Sequence, residues 1–194
     1  MVAGHFGFAA GVKGVETSAP LWALMLATVW LDVVFVPLYA AGVETIVPLA
    51  GTHGGYGNGI IHADYTHSLV GAVVLAVLFG LAGALPWGPR VGVVLGAVVF
   101  SHWLLDLVVH RADMPILPGN AGGLPRVGFG LWRVPAASIA VELALVIAGS
   151  LLYWRAAQQV VRTASADDKR RARLVAALVA AAGIATLALD VLVD

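Results

Sequence analysis

Five long apolar runs alternate with polar or glycine-rich stretches along the chain. Residues 20–40 form the first run, with Asp32 inside it. Residues 66–85 form the second, which ends at Pro86-Trp87-Gly88-Pro89. The third, 91–110, holds His102 and Asp106; the fourth, 134–155, holds Glu142; the fifth, 174–192, has Asp190 near its end. Between them lie a glycine-rich loop at 41–65, a loop rich in proline and glycine at 111–133, and a basic connector at 156–173. Each run has the length of about 20 residues that a helix needs to cross hydrocarbon. A lipid-exposed backbone must also satisfy its hydrogen bonds within the segment. The pattern therefore predicts an all-α polytopic membrane protein with about five transmembrane helices. Residues 1–12 are apolar but too short to span, and predict a short N-terminal helix, interfacial or re-entrant.

Composition agrees with that reading. Hydrophobic residues make up 60% of the 194, charged residues 11%, and the mean hydropathy is +0.93. A soluble domain carries roughly 25% charged residues. What lies outside the runs suffices for loops but not for a second domain, so residues 1–194 are read as a single integral membrane domain. Formal net charge is zero, so no basic field is available for nucleic acid. There is no cysteine, which excludes disulfides, thiolate metal sites and cysteine nucleophiles. Any metal must be held by histidine, carboxylate or backbone oxygen. Lys13 follows the first apolar stretch instead of preceding it, so the N-terminus is not read as a cleaved secretory signal.

Basic residues suggest an orientation. With five spans the N-terminus, the 86–90 turn and the 156–173 connector share one side, which carries Lys13, Arg90, Arg155, Arg162, Lys169, Arg170, Arg171 and Arg173. The other side carries Arg111, Arg126 and Arg133. The positive-inside tendency then puts the N-terminus in the cytoplasm and the 41–65 and 111–133 loops outside.

Ionisable side chains within spans are costly and are functional candidates by default. In the five-span arrangement Asp32, His102 and Glu142 fall near one depth. Asp106 lies roughly 6 Å further out than His102, and His110 roughly 6 Å beyond that. His102, Asp106 and His110 recur at i, i+4 and i+8, so they line one helical face and can converge on one cation. The plainer alternative is a histidine–aspartate pair that ties helices together.

A second cluster is His62-Ala63-Asp64-Tyr65-Thr66-His67-Ser68 at the outer start of the second run. His62 and His67 are metal candidates, and Asp64 or Thr66 suits a helix cap. Asp32 has no local partner of opposite charge, and Glu142 is similar. Either Glu142 or Asp64 is a candidate for proton transfer. His5 joins the site only if residues 1–12 dip into the membrane. His53, in the glycine-rich loop, is read as exposed.

Thr66-His67-Ser68-Leu69, the His102–Asp106 pair with Leu105 before the aspartate, Val109-His110-Arg111, Gly4-His5-Phe6-Gly7 and the Asp-containing first span together resemble a known family. It is the membrane-bound metal-dependent hydrolase family, also described as LexA-binding inner-membrane-associated hydrolases, and the likeness points to a bacterial branch. The resemblance covers roughly residues 4–135. It implies a multi-pass protein of the bacterial inner membrane with a metal site. Two positions depart from the family pattern: Ala63 and Asp64 follow His62 where an Arg is common, and Asp32 stands alone where many members have a Pro-Asp-x-Asp pair. A two-metal site is not carried over.

Two other membrane families are excluded by missing elements. The acid-phosphatase type of lipid phosphatase needs a Pro-Ser-Gly-His element and an Arg before that His. Membrane di-iron desaturases need about eight histidines in boxes, and this chain has six in all.

The leading expectation is a metal-dependent hydrolase of a lipid or lipid-linked ester or phosphoester. Its ligands come from Asp32, His67, His102 and Asp106, with His5, His62 and His110 as further candidates. Nitrogen and oxygen ligands suit zinc first, then iron or manganese. The alternative from a different class is a proton or divalent-cation transporter built from the same groups. A third is a structural membrane protein whose polar groups only pair helices.

Overall fold

A computed structural model describes residues 1–51, 56–160 and 165–192. It is mostly helical. The N-terminal apolar stretch forms α1 (Val2–Val15). The first long run is split into α2 (Leu21–Thr28) and α3 (Trp30–Ala40), bent by 49° at Val29. The glycine-rich loop contains a feature the pattern did not predict, a two-stranded antiparallel hairpin of β1 (Thr45–Pro48) and β2 (Gly59–His62). The remaining helices are α4 (Leu69–Val109), α5 (Pro135–Val160) and α6 (Ala166–Leu192).

The 41 residues of α4 would extend about 60 Å if straight. They do not run straight. Gly88 has φ 84° and ψ 165°, between Pro86 and Pro89, and there the helix reverses. Gly80 and Gly92 then meet backbone to backbone: a Cβ on Gly80 would lie 2.8 Å from the Gly92 carbonyl oxygen. The two limbs are the second and third runs of the sequence. Small residues at the crossing let the limbs approach closely, as in membrane helix pairs generally.

The same device docks α1. Its glycines at 4, 7, 11 and 14 face α5, and a Cβ on Gly7 would lie 2.7 Å from the Leu145 backbone. Gly4 and Gly7 meet Leu145, and Gly14 meets Leu152, so α1 and α5 run in the same direction. At the end of α1, Lys13 donates to the carbonyls of Thr17 (2.6 Å) and Ala19 (2.8 Å) and closes the turn into α2. Glu16 there accepts from Arg90 (2.8 Å), next to the α4 reversal. The start of α1 is at the opposite end of the bundle, where Met1 and Val2 line a cavity. This corrects the expectation that the N-terminus lies on the side of the 86–90 turn, away from the other polar groups. Run length fixes an element's reach but not its direction.

α6 begins eight residues before the apolar run predicted at 174–192, because Ser165 and Asp168 cap it reciprocally: Asp168 N–H donates to Ser165 Oγ (3.2 Å) and the Ser165 hydroxyl donates to Asp168 Oδ2 (2.6 Å). Among the described residues, three helices are long and apolar enough to cross a membrane: Leu69–Val109, Pro135–Gln159 and Ala166–Leu189. The bent pair α2–α3 makes a fourth if it counts as one span. This supports an all-α protein with membrane-crossing helices, and does not by itself support five.

Candidate metal centre

The second limb of α4 supplies the base of the site. His102, Asp106 and His110 share one face, as their spacing requires, and all three are buried. His102 Nε2 lies 3.0 Å from Asp106 Oδ2, and His110 Nε2 lies 3.7 Å from the same oxygen. His67 arrives from the start of the first limb, just before Ser68 caps that helix by accepting from Gly71 N–H (3.0 Å). The cap is therefore Ser68, and neither Asp64 nor Thr66. His67 Nε2 lies 3.2 Å from His102 Nε2 and 3.5 Å from both Asp32 Oδ1 and Asp106 Oδ2. Asp32, on α3, also lies 3.6 Å from His102 Nε2. His5, on α1, places Nε2 3.1 Å from Asp106 Oδ1 and stacks on the His102 ring at 3.9 Å.

Each cavity histidine on the α4 side is anchored through its other nitrogen. α2 ends at Thr28, whose carbonyl faces His102 Nδ1 at 2.7 Å. A carbonyl can only accept, so Nδ1 carries a proton, and in the neutral ring Nε2 is the nitrogen with the lone pair. His67 Nδ1 is 2.9 Å from Thr66 Oγ1, whose hydroxyl donates to the buried carboxylate of Glu44 (2.9 Å). That order of donors again leaves Nε2 as the lone-pair nitrogen of a neutral His67 ring. His110 Nδ1 faces Asp113 Oδ1 at 2.9 Å with the same result.

With both rings neutral and protonated at Nδ1, these two nitrogens 3.2 Å apart repel each other unless a cation lies between them; a proton on one of the Nε2 atoms is the other way to satisfy the contact. Tetrahedral zinc, with ligands at about 2.0–2.1 Å, separates its ligand atoms by about 3.3–3.4 Å. The separations of 3.0–3.6 Å among His67, His102, Asp106 and Asp32 have that scale. Two groups, His5–His102–Asp106 and Asp32–His67–His102, could each hold a metal ion. The anchoring of each Nδ1 is the arrangement that orients metal-binding histidines. The donor set therefore fits a nitrogen–oxygen metal, without fixing which one.

The other sequence candidates fall elsewhere. His62 ends β2 and pairs with Thr45; side chains alternate along a strand, and its neighbour Ile61 faces the cavity, so His62 faces away. Asp64 holds Arg126 through both oxygens (2.6 and 2.7 Å), outside the cavity lining. That hydrogen-bonded guanidinium lowers the Asp64 pKa and raises that of Arg126. Glu142 is fully buried, but it accepts from Gly4 N–H (3.1 Å) and from the Tyr56 hydroxyl (2.5 Å). It caps α1 and has no place in the cavity. Neither acid lines the cavity. His53 and the side chain of Asp190 lie outside the described residues.

Three contributors were not singled out in the sequence: Glu44, Thr28 and Asp113. Asp113 follows His110 by three residues, and Glu44 stands in a loop without a basic residue, so each carried a weak signal. Thr28 acts through its carbonyl, which no side-chain pattern reveals.

The cluster forms the floor of a cavity of about 350 Å³. No protein-family model, curated protein or solved structure matches this chain.

Proposed function

We propose that this chain is a metal-dependent hydrolase embedded in a membrane and acting on a lipid or lipid-linked substrate. The observation that carries the reading is the convergence of two ring nitrogens, His67 Nε2 and His102 Nε2, 3.2 Å apart, with Asp106 Oδ2 and Asp32 Oδ1 3.0–3.6 Å away. Asp32, His67, His102 and Asp106 would hold the ion, with zinc the first expectation and iron or manganese next. A bound divalent metal supplies an acidified water and polarises the scissile carbonyl or phosphoryl oxygen.

The chain's own groups supply the rest. His5 bonds Asp106 Oδ1 and stacks on His102, which fixes the orientation of both. His110 takes the proton-transfer role first expected of Glu142 or Asp64: Asp113 holds its Nδ1, and its Nε2 faces the cavity. Packed apolar side chains, among them Leu24, Leu95, Val98 and Val99, close the bundle on the Glu16–Arg90 side.

The resemblance to the membrane-bound metal-dependent hydrolases belongs to the same proposal. So does an arrangement of five crossings, with α2–α3, each limb of α4, α5 and α6 as the spans and α1 reaching in from the site's side. Arg90, Arg155 and the basic residues at the start of α6 then face the cytoplasm of a bacterial inner membrane, and the site faces outward.

Metal analysis of the purified protein tests this. The wild type should carry stoichiometric metal, and His102→Ala and Asp106→Ala should lose it while still inserting. Full metal in both variants would remove the assignment. Metal or proton flux in proteoliposomes that depends on Asp32 or Asp106 would replace hydrolysis with transport.

A further inference from the structure

The walls of the cavity carry information about the substrate that the metal cluster does not. Its ionisable lining is Asp32, Asp106 and histidines; among the described residues no Lys or Arg lines it. Two arginines at this end are engaged elsewhere, and Arg133 is exposed outside the lining. Arg126 is held by Asp64, and Arg111 donates to the Gly57 carbonyl (3.2 Å). The rest of the lining is mostly apolar: Met1, Val2, Phe35, Ile46, Ile61 and Trp132, whose indole N–H is the polar group among them.

Charge then discriminates between substrates. Two carboxylates neutralise one divalent ion. A phosphomonoester would add close to two further negative charges, and among the described residues no Lys or Arg side chain lines the cavity to meet them, so its burial costs more. A neutral acyl ester adds none.

The cavity is also open on one side. The Asp32 side chain is 41% exposed, whereas those of His5, His67, His102, Asp106 and His110 are 1–5% exposed. Its neighbours Val33 and Val36 are 42% and 62% exposed. An apolar helix face that is exposed within a span meets lipid, so the opening beside Asp32 leads sideways into the bilayer.

Resting on the hydrolase reading, we infer that the substrate is a neutral acyl ester of a lipid. It enters sideways past α3, and its acyl chain lies against Phe35, Ile46 and Ile61. The water oxygen bonds to the carbonyl carbon and the acyl C–O bond breaks. One water proton passes through His110 to the leaving alkoxide, giving an alcohol, and the fatty acid ionises to a carboxylate and releases the second.

The test uses the full chain in nanodiscs. In the cobalt-substituted protein, octanohydroxamate, which binds as a monoanion, should perturb the metal spectrum at a concentration at least tenfold below that needed for octylphosphonate. Val2→Arg places a cation at the cavity wall and should narrow that gap by tenfold or more. A phosphonate that binds as tightly as the hydroxamate to the wild type, or a gap that Val2→Arg leaves unchanged, would overturn the inference. Zinc-loaded protein should release octanoate from dioctanoylglycerol, and Asp106→Asn should not. Release of inorganic phosphate from dioctanoyl phosphatidate, without octanoate from the neutral ester, would overturn the inference while leaving the metal hydrolase intact. Protein that purifies without metal and takes none up would remove the reading beneath it.

Discussion

Thr66→Val is the sharpest probe of the site, because it leaves every proposed ligand in place. The substitution is close to isosteric and removes one oxygen. That oxygen is 2.9 Å from His67 Nδ1 and passes the contact on to Glu44. With metal on Nε2, His67 must keep its proton on Nδ1, and in the variant that buried N–H has no acceptor. An unsatisfied buried donor costs about 1–3 kcal/mol. Without metal the ring is free to move its proton to Nε2, which lies 3.2 Å from His102 Nε2 and 3.5 Å from Asp106 Oδ2. The cost of the unpaired N–H thus falls on the metal-bound state alone, while the lost Thr66–Glu44 hydrogen bond costs both states alike. Metal affinity should drop about 5- to 150-fold, while the melting temperature of the metal-free protein falls only by what the lost Thr66–Glu44 hydrogen bond contributes. Competition titration against a chromogenic chelator measures the first and thermal unfolding the second. Thr66→Ser keeps the hydroxyl and should restore affinity. Affinity within twofold of wild type in Thr66→Val would refute the anchoring argument, and with it the assignment of His67 as a ligand.

Other outcomes follow from the same geometry. His62→Ala should keep full metal content, since His62 faces away from the cavity; metal loss measured by elemental analysis would contradict the strand register. Gly7→Val should lower metal affinity in the same chelator titration, because the new Cβ meets the Leu145 backbone at 2.7 Å and displaces α1 with His5. Arg126→Gln should destabilise the protein at neutral pH but not in acid: the depressed Asp64 pKa contributes stability above the unfolded carboxylate value of about 3.9, and that contribution is lost as pH falls through the lower folded value. Unfolding midpoints that differ equally at all pH values would exclude the ion pair as the cause. Single cysteines at Val2 and Asn120 should react with an impermeant reagent from one face of the membrane and a cysteine at Ser165 from the other.

The helices were legible because long apolar runs have the length and composition that a membrane-crossing helix needs. The His102–Asp106–His110 stripe was legible because a helix converts spacing directly into a shared face. What the sequence hid was non-local. Asp64 and Glu142 look like free acids, yet their partners are Arg126 and the Gly4 N–H, 62 and 138 residues away. His5 was hidden by direction: a short apolar helix reads the same whichever way it runs. Its glycines at 4, 7, 11 and 14 were the overlooked signal, since that stripe requires a close helix neighbour. The β-hairpin was masked by short, β-branched strands set among glycines. Its cost to the reading was His62, because strand alternation decides which of Ile61 and His62 reaches the cavity.

The broken first run bears on the choice between hydrolysis and transport. In a bilayer, irregular backbone is tolerated only where protein or a cavity covers it. The break at Val29 lies beside the cluster, and its use is visible: the Thr28 carbonyl anchors His102, and the Thr28 hydroxyl donates to the His5 carbonyl (2.9 Å). Broken helices also build transporter sites, but those must open to each face in turn. Here the path from the cluster toward Arg90 runs through Leu95, Val98 and Val99 on the second limb of α4 and Leu24 on α2, all 0–2% exposed. The limbs of α4 are locked further along by the Gly80–Gly92 contact. Opening that side would separate backbones already in contact and expose packed aliphatic side chains at roughly 1.5–3 kcal/mol each. On the other side the cavity is already open beside Asp32. A site with one standing opening and one packed floor suits a reaction in which substrate and product use the same door.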